Sequence, residues 1–261
     1  MTAARVPRLI FGLSLVVPLA AFAQSASEDY ALVGAGLRAR PAYDGAASER
    51  GELVPVLRYY GRPWFARTTQ GILEGGARTE LARGLNLGAQ LAYEGGRLQR
   101  ESAFLRGHNL ADINPSASVG AHLEWDRNIG PMPVTLLARA RQNMDTDLGA
   151  QADLRFTGGI YDDGRLAAGV FAQATWANAK STRSFYGVTP QQSASSGLPA
   201  FEPGGGLLFT GVGLLGLFNL SREWVLLGSA EARHLRGDAA RSPLAEDPSS
   251  YYASAGLAYR F

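Results

Sequence analysis

Apolar residues recur at every second position along most of this chain. From residue 251 to 261, Tyr251, Ala253, Ala255, Leu257, Tyr259 and Phe261 alternate with Tyr252, Ser254, Gly256, Ala258 and Arg260. Successive side chains of a strand point to opposite faces, so a period of two predicts a sheet with one apolar and one polar face. The pattern is equally clear in residues 31–40, 85–94, 117–126, 148–156 and 165–176, and is present in 134–141 and 224–233. It is weaker in 53–60, 62–69 and 72–81, where Pro55 and Pro63 count against central pairing. Residues 204–218 are apolar on both faces, as expected of a strand packed against an interior plug or at a subunit contact. The tally is about twelve strands of transmembrane length.

The connections between these segments alternate in length. Those near residues 61, 83–84, 127–130, 158–164 and 219–222 are short, and those at 41–50, 95–115, 177–203 and 236–250 are long. Short periplasmic turns opposite long outer loops are the rule for transmembrane barrels. The apolar faces are thin, mostly Ala and Gly with single Leu or Val, which suits lipid better than the core of a β-sandwich. The expected fold is all-β, a single antiparallel transmembrane β-barrel of about twelve strands with both termini periplasmic. Tyr59, Tyr60, Trp64, Tyr93, Trp125, Trp176, Trp224 and Tyr259 fall near strand ends, where aromatic girdles belong, although aromatics favour any strand.

The N-terminus agrees with that destination. Arg5 and Arg8 precede an apolar run and the small-x-small sequence Ala21-Phe22-Ala23, so residues 1–23 read as a secretory signal peptide and 24–261 as the barrel domain. The apolar run is short for a membrane-spanning anchor. A mean hydropathy of −0.07 is what a barrel with a polar lumen gives. The closing strand with Tyr259 and Phe261 resembles the assembly signal of outer-membrane barrels, placing the chain in the bacterial outer membrane with outer-membrane lipid and the barrel assembly machinery as partners. The chain has no Cys, which removes disulfides and thiolate chemistry. Its net charge of +2 disappears with Arg5 and Arg8, which argues against a nucleic-acid partner.

Any reactive chemistry would have to sit on the polar faces. Ser118 and His122 share the lumen side but stand four residues apart on one strand, about 13 Å at ~3.3 Å per residue, too far for a nucleophile and its base. No metal-ligand spacing or phosphate loop occurs, so no catalytic, cofactor or metal residue is expected. Arg38, Arg40, His122, Glu124, Asp126, Arg139, Arg141, Asp153 and Arg155 read instead as a mixed-charge lumen network, pairing across the interior or lining a conducting path.

Phe185-Tyr186-Gly187-Val188-Thr189, then Gln192-Ser193, then Ser196-Gly197-Leu198, resembles the signature loop of the MipA/OmpV family, the MltA-interacting proteins. The resemblance continues through Glu223-Trp224, Gly237-Asp238 and Ser242-Pro243-Leu244 to Tyr259-Arg260-Phe261, and starts at Gly34-Ala35-Gly36 and Pro41-Ala42-Tyr43-Asp44-Gly45. It implies a non-enzymatic outer-membrane scaffold that brings a murein lytic transglycosylase together with a peptidoglycan synthase. The alternative it implies is a porin-like channel or a surface receptor or adhesin. The family supplies no catalytic set, and turn-shaping by Gly187, Pro190 and Gly197, with Tyr186 packing over the barrel mouth, accounts for the loop without a ligand.

Overall fold

A computed structural model describes residues 30–69 and 71–261. The expected signal peptide, residues 1–23, lies outside the described residues. Twelve strands form: β1 (Tyr30–Pro41), β2 (Glu49–Tyr60), β3 (Trp64–Thr69), β4 (Ile72–Ala82), β5 (Leu85–Glu94), β6 (Ser116–Ile129), β7 (Met132–Asn143), β8 (Ala150–Asp162), β9 (Leu166–Ala177), β10 (Gly206–Asn219), β11 (Trp224–Leu235) and β12 (Ser249–Arg260). Each pairs antiparallel with its neighbours in sequence, and β1 pairs β12 to close the barrel. At that seam the strands pack tightly: a Cβ on Gly34 would lie 2.0 Å from the Leu257 carbonyl oxygen. Only glycine fits there.

The outward face is the apolar one. Leu37, Leu91 and Val212 are at least 60% exposed, a belt that water would not tolerate but hydrocarbon does. Among the described residues no helix is long and apolar enough to cross a membrane; the strands make the crossing. Of the aromatics expected in girdles, Tyr60 turns inward, where Arg67 donates to its hydroxyl at 3.2 Å.

Strand ends differ from the sequence expectation where glycine decides. Leu148 belongs to a 3-10 turn (Thr146–Leu148) and Gly149 takes φ 68°, so β8 starts at Ala150. Gly158 and Gly159 do not turn the chain. They sit within β8, and a bulge between Gly159 and Tyr161 leaves Ile160 and Tyr161 both exposed. The two apolar faces of β10 also find their reason inside: Leu217 packs against buried Leu32, Val225 and Ala258, an apolar interior cluster completed by Val56 and Leu227.

Five short connections, 61–63, 83–84, 130–131, 163–165 and 220–223, lie at the end where β1 starts and β12 finishes. The opposite, outer end carries 42–48, 70–71, 95–115, 144–149, 178–205 and 236–248. Within these are the helices α1 (Ala103–Gly107), α2 (Ala179–Tyr186), α3 (Pro190–Ser196) and α4 (Gly237–Arg241). Asn178 accepts from Ser181 N at 2.8 Å to start α2. Thr189 and Gln192 form a reciprocal capping box for α3, with Pro190 in its first turn. Gly197 ends α3 in the left-handed conformation, φ 73°.

Candidate functional site in the lumen and the loop cap

The barrel interior is built around Glu74, which projects inward from β4 and is 1% exposed. Its Oε1 accepts from Arg67 Nε at 2.6 Å, and its Oε2 accepts from Arg139 Nη1 at 2.7 Å and Gln90 Nε2 at 2.8 Å. Arg67 also pairs with Glu124, which Arg78 approaches at 3.6 Å. Asp153 accepts from Arg139 at 2.9 Å, Arg141 at 3.0 Å and the Thr175 hydroxyl at 2.8 Å. Arg141 reaches Glu94 at 2.8 Å. A buried carboxylate holds its charge only when donors surround it, and here they do.

The remaining residues of the expected network occupy distinct places. His122 Nδ1 lies 2.6 Å from Gln90 Oε1, with the Phe65 ring edge-on at 5.1 Å. Ser118 donates to Glu94 at 2.5 Å, not to His122. Among the described residues Arg155 meets no carboxylate directly: it stacks over Phe171 at 3.7 Å and donates to Gln173 at 3.3 Å. Asp126 accepts from Thr135 at 2.6 Å. Arg38 and Arg40 form a separate group with Glu52, at 3.5 and 3.0 Å. The hub residues Glu74 and Arg67 carry no signal in the sequence, because β3 and β4 show the faintest alternation of the chain.

The outer mouth is covered. Ala42, Tyr43 and Ala46 from 42–48, Leu105 and Leu110 from 95–115, Val188 from 178–205 and Leu244 from 236–248 bury one another in a single cluster. Three of these connections rise from the neighbouring hairpins β9–β10, β11–β12 and β1–β2, and the fourth, 95–115, from β5–β6 on the far side, so their meeting point lies across the opening. Each Leu or Val buried there contributes ~1.5–3 kcal/mol. A second cluster anchors this cap to the rim: Tyr186, Leu208, Phe209, Leu235 and Ala239.

The conspicuous loop sequence fastens the cap. Ser242 donates to the Tyr186 carbonyl at 2.6 Å and accepts from Leu244 N at 3.0 Å across the intervening Pro243. Val188 and Phe201 exchange backbone hydrogen bonds at 2.9 and 2.8 Å. Ser196 accepts from Leu198 N at 3.2 Å, and Arg97 donates to the Phe185 carbonyl at 2.6 Å. A Cβ on Gly187 would lie 2.4 Å from the Arg183 carbonyl oxygen. Below the cap, Asp44 accepts from Arg233 at 3.0 Å and from the Tyr252 hydroxyl. Burial would raise the Asp44 carboxyl, but Arg233 and the Tyr252 hydroxyl, with Arg40 and Arg38 beyond, hold it below the usual carboxylate value. Burial pushes the Tyr186 phenol well above its ordinary value, and Asp44 adds to the rise.

Cap, seam and closing strand together span the chain, and the family model described as MltA-interacting protein MipA matches residues 33–261. The chain belongs to the MipA family. With a closed twelve-strand barrel whose outer face is apolar, this family member is an outer-membrane barrel protein. No curated protein matches the chain. Among solved structures it is similar to the translocator domain of autotransporter NalP from Neisseria meningitidis, with 8% identity, 93% of this chain and 92% of that chain covered, and TM-score 0.47. It is also similar to the COG4313 outer membrane channel from Pseudomonas putida F1, with 10% identity, 90% and 96% covered, and TM-score 0.46.

Proposed function

We propose that this barrel is a non-enzymatic docking platform, holding a murein lytic transglycosylase and a peptidoglycan synthase against the periplasmic face of the outer membrane. The observation that carries the reading is the filled interior beneath a packed cap. Leu32, Glu74, His122 and Arg139 are all 0–4% exposed, whereas side chains lining a water-filled porin lumen are wetted. The buried interior and the packed cap count against a porin-like role.

The periplasmic end supports the same reading. Arg62, Arg83, Arg165 and Arg222 stand exposed in four of the short connections, and Arg127 stands exposed at the end of β6 before the fifth. Against the exposed Glu80, Asp163 and Glu223 of the same rim, these five cations leave it net positive, which favours an acidic protein surface, although salt screens such attraction beyond about 8–10 Å. The family description as MltA-interacting points to a transglycosylase as that protein. Nanodisc-embedded protein binds purified lytic transglycosylase on this account, and replacing the five arginines with Gln weakens binding and flattens its salt dependence. Absence of binding at low salt by the unsubstituted protein overturns the proposal.

A further inference from the structure

The barrel wall is incomplete at one place. β3 has six residues, and it pairs with β2 only through Arg58↔Arg67, Tyr59↔Ala66 and Tyr60↔Phe65. Among the described residues, β2 from Glu49 to Leu57 is paired with β1 on one side and has no ladder partner on the other. Pro55, which weakened the sequence case for a central strand, thus sits on an open edge, where proline is tolerated. The outward residues of this segment include Leu53, which is 80% exposed, so the gap opens toward lipid in the outer half of the wall.

A bare strand edge is not left facing hydrocarbon, because its N–H and C=O groups need polar partners. Charged side chains gather along the inner side of this edge. Arg38 reaches the tip of the β3–β4 hairpin, where a Cβ on Gly71 would lie 1.9 Å from its Nη1. Arg40 and Arg50 lie 3.0 and 3.7 Å from Glu52, and Arg50 also pairs with Glu101 of the 95–115 connection. Three guanidinium groups face two carboxylates, so the aperture has a cationic inner wall and apolar jambs at Leu53 and Leu57.

We infer that this gap is a lateral portal that admits an anionic amphiphile from the outer leaflet, its head group against Arg38 and Arg40 and its chain along the β2 edge. A second copy of the barrel is a poor occupant. Two copies in one membrane share orientation, so a two-fold pairing of β2 with itself runs parallel, and strands tilted 35–45° from the barrel axis then cross steeply instead of aligning.

The chain has no Cys, so Val54→Cys, on the inner side of the β2 edge, accepts a single fluorophore. Ser229→Cys on β11 is the control, inward-facing and paired on both sides with Leu215 and Ser254. Both are reconstituted in vesicles and titrated with 5-doxyl-stearic acid and with its methyl ester. The portal predicts saturable quenching of the Val54 label by the acid, at several-fold lower concentration than by the ester, with only a linear background at Ser229. Arg38→Gln with Arg40→Gln moves the acid curve toward the ester curve. Equal quenching at the two labels, equal potency of acid and ester, or an unchanged curve in a folded double variant overturns the inference. If the double variant does not fold, the acid and ester comparison on Val54→Cys alone decides.

Discussion

Arg139 of β7 and Glu74 of β4 meet at 2.7 Å although two strands lie between them in the wall. Neither side chain reaches water, and each has a further opposite charge, Asp153 for Arg139 and Arg67 for Glu74. The pair ties one part of the barrel wall to another through the interior. Removing one member of such a buried pair strands the other charge, at a cost of about 3–5 kcal/mol. Glu74→Gln is therefore expected to lower stability by that order in urea unfolding followed by tryptophan fluorescence. Adding Arg139→Gln costs less than the sum of the two single changes.

Ser242 is expected to hold the cap closed. Ser242→Ala leaves the Tyr186 carbonyl without its donor, a penalty of about 1–3 kcal/mol for a buried group. The barrel itself is not altered, so heat-modifiable migration on gels stays normal while protease cleavage within residues 178–205 accelerates.

Asp44 gives the cap a pH limit. Its carboxyl is held below the ordinary value in the folded protein, so the folded state binds this proton later than the unfolded state does. Its stabilising contribution is complete above about pH 4 and is lost as pH falls from there through the folded value. Cap proteolysis by an acid-active protease is expected to rise steeply below about pH 4 in the wild type. In Asp44→Asn the contribution is missing at neutral pH too, and this component of the pH dependence disappears.

Gly34 and Gly51 make a matched pair. A side chain on Gly34 meets the β12 backbone at 2.0 Å, whereas nothing lies within 4 Å of a Cβ on Gly51. Gly34→Val is expected to abolish most folded, heat-modifiable barrel in refolding assays, and Gly51→Val to leave the yield unchanged.

The strands were legible because lipid and lumen impose opposite chemistry on alternate residues, as in Leu85 to Glu94. The charge network was legible only in part. Arg139, Arg141 and Asp153 lie on adjacent strands whose order follows the chain. Glu74 and Arg67 meet Arg139 and Glu124 only through the curvature of the closed barrel, which no local pattern encodes. The gap beside β2 left a single trace in the sequence, Pro55. The cap left less, since helices of five to eight residues such as α1 and α2 carry too few turns for a periodic signal.

The most direct measurement is single-channel recording of the unsubstituted protein in planar bilayers. A barrel filled by the Glu74 network and capped by the Ser242-fastened loops inserts without conductance steps, even at high salt and voltage. Stable, reproducible steps from protein shown to be folded contradict the account.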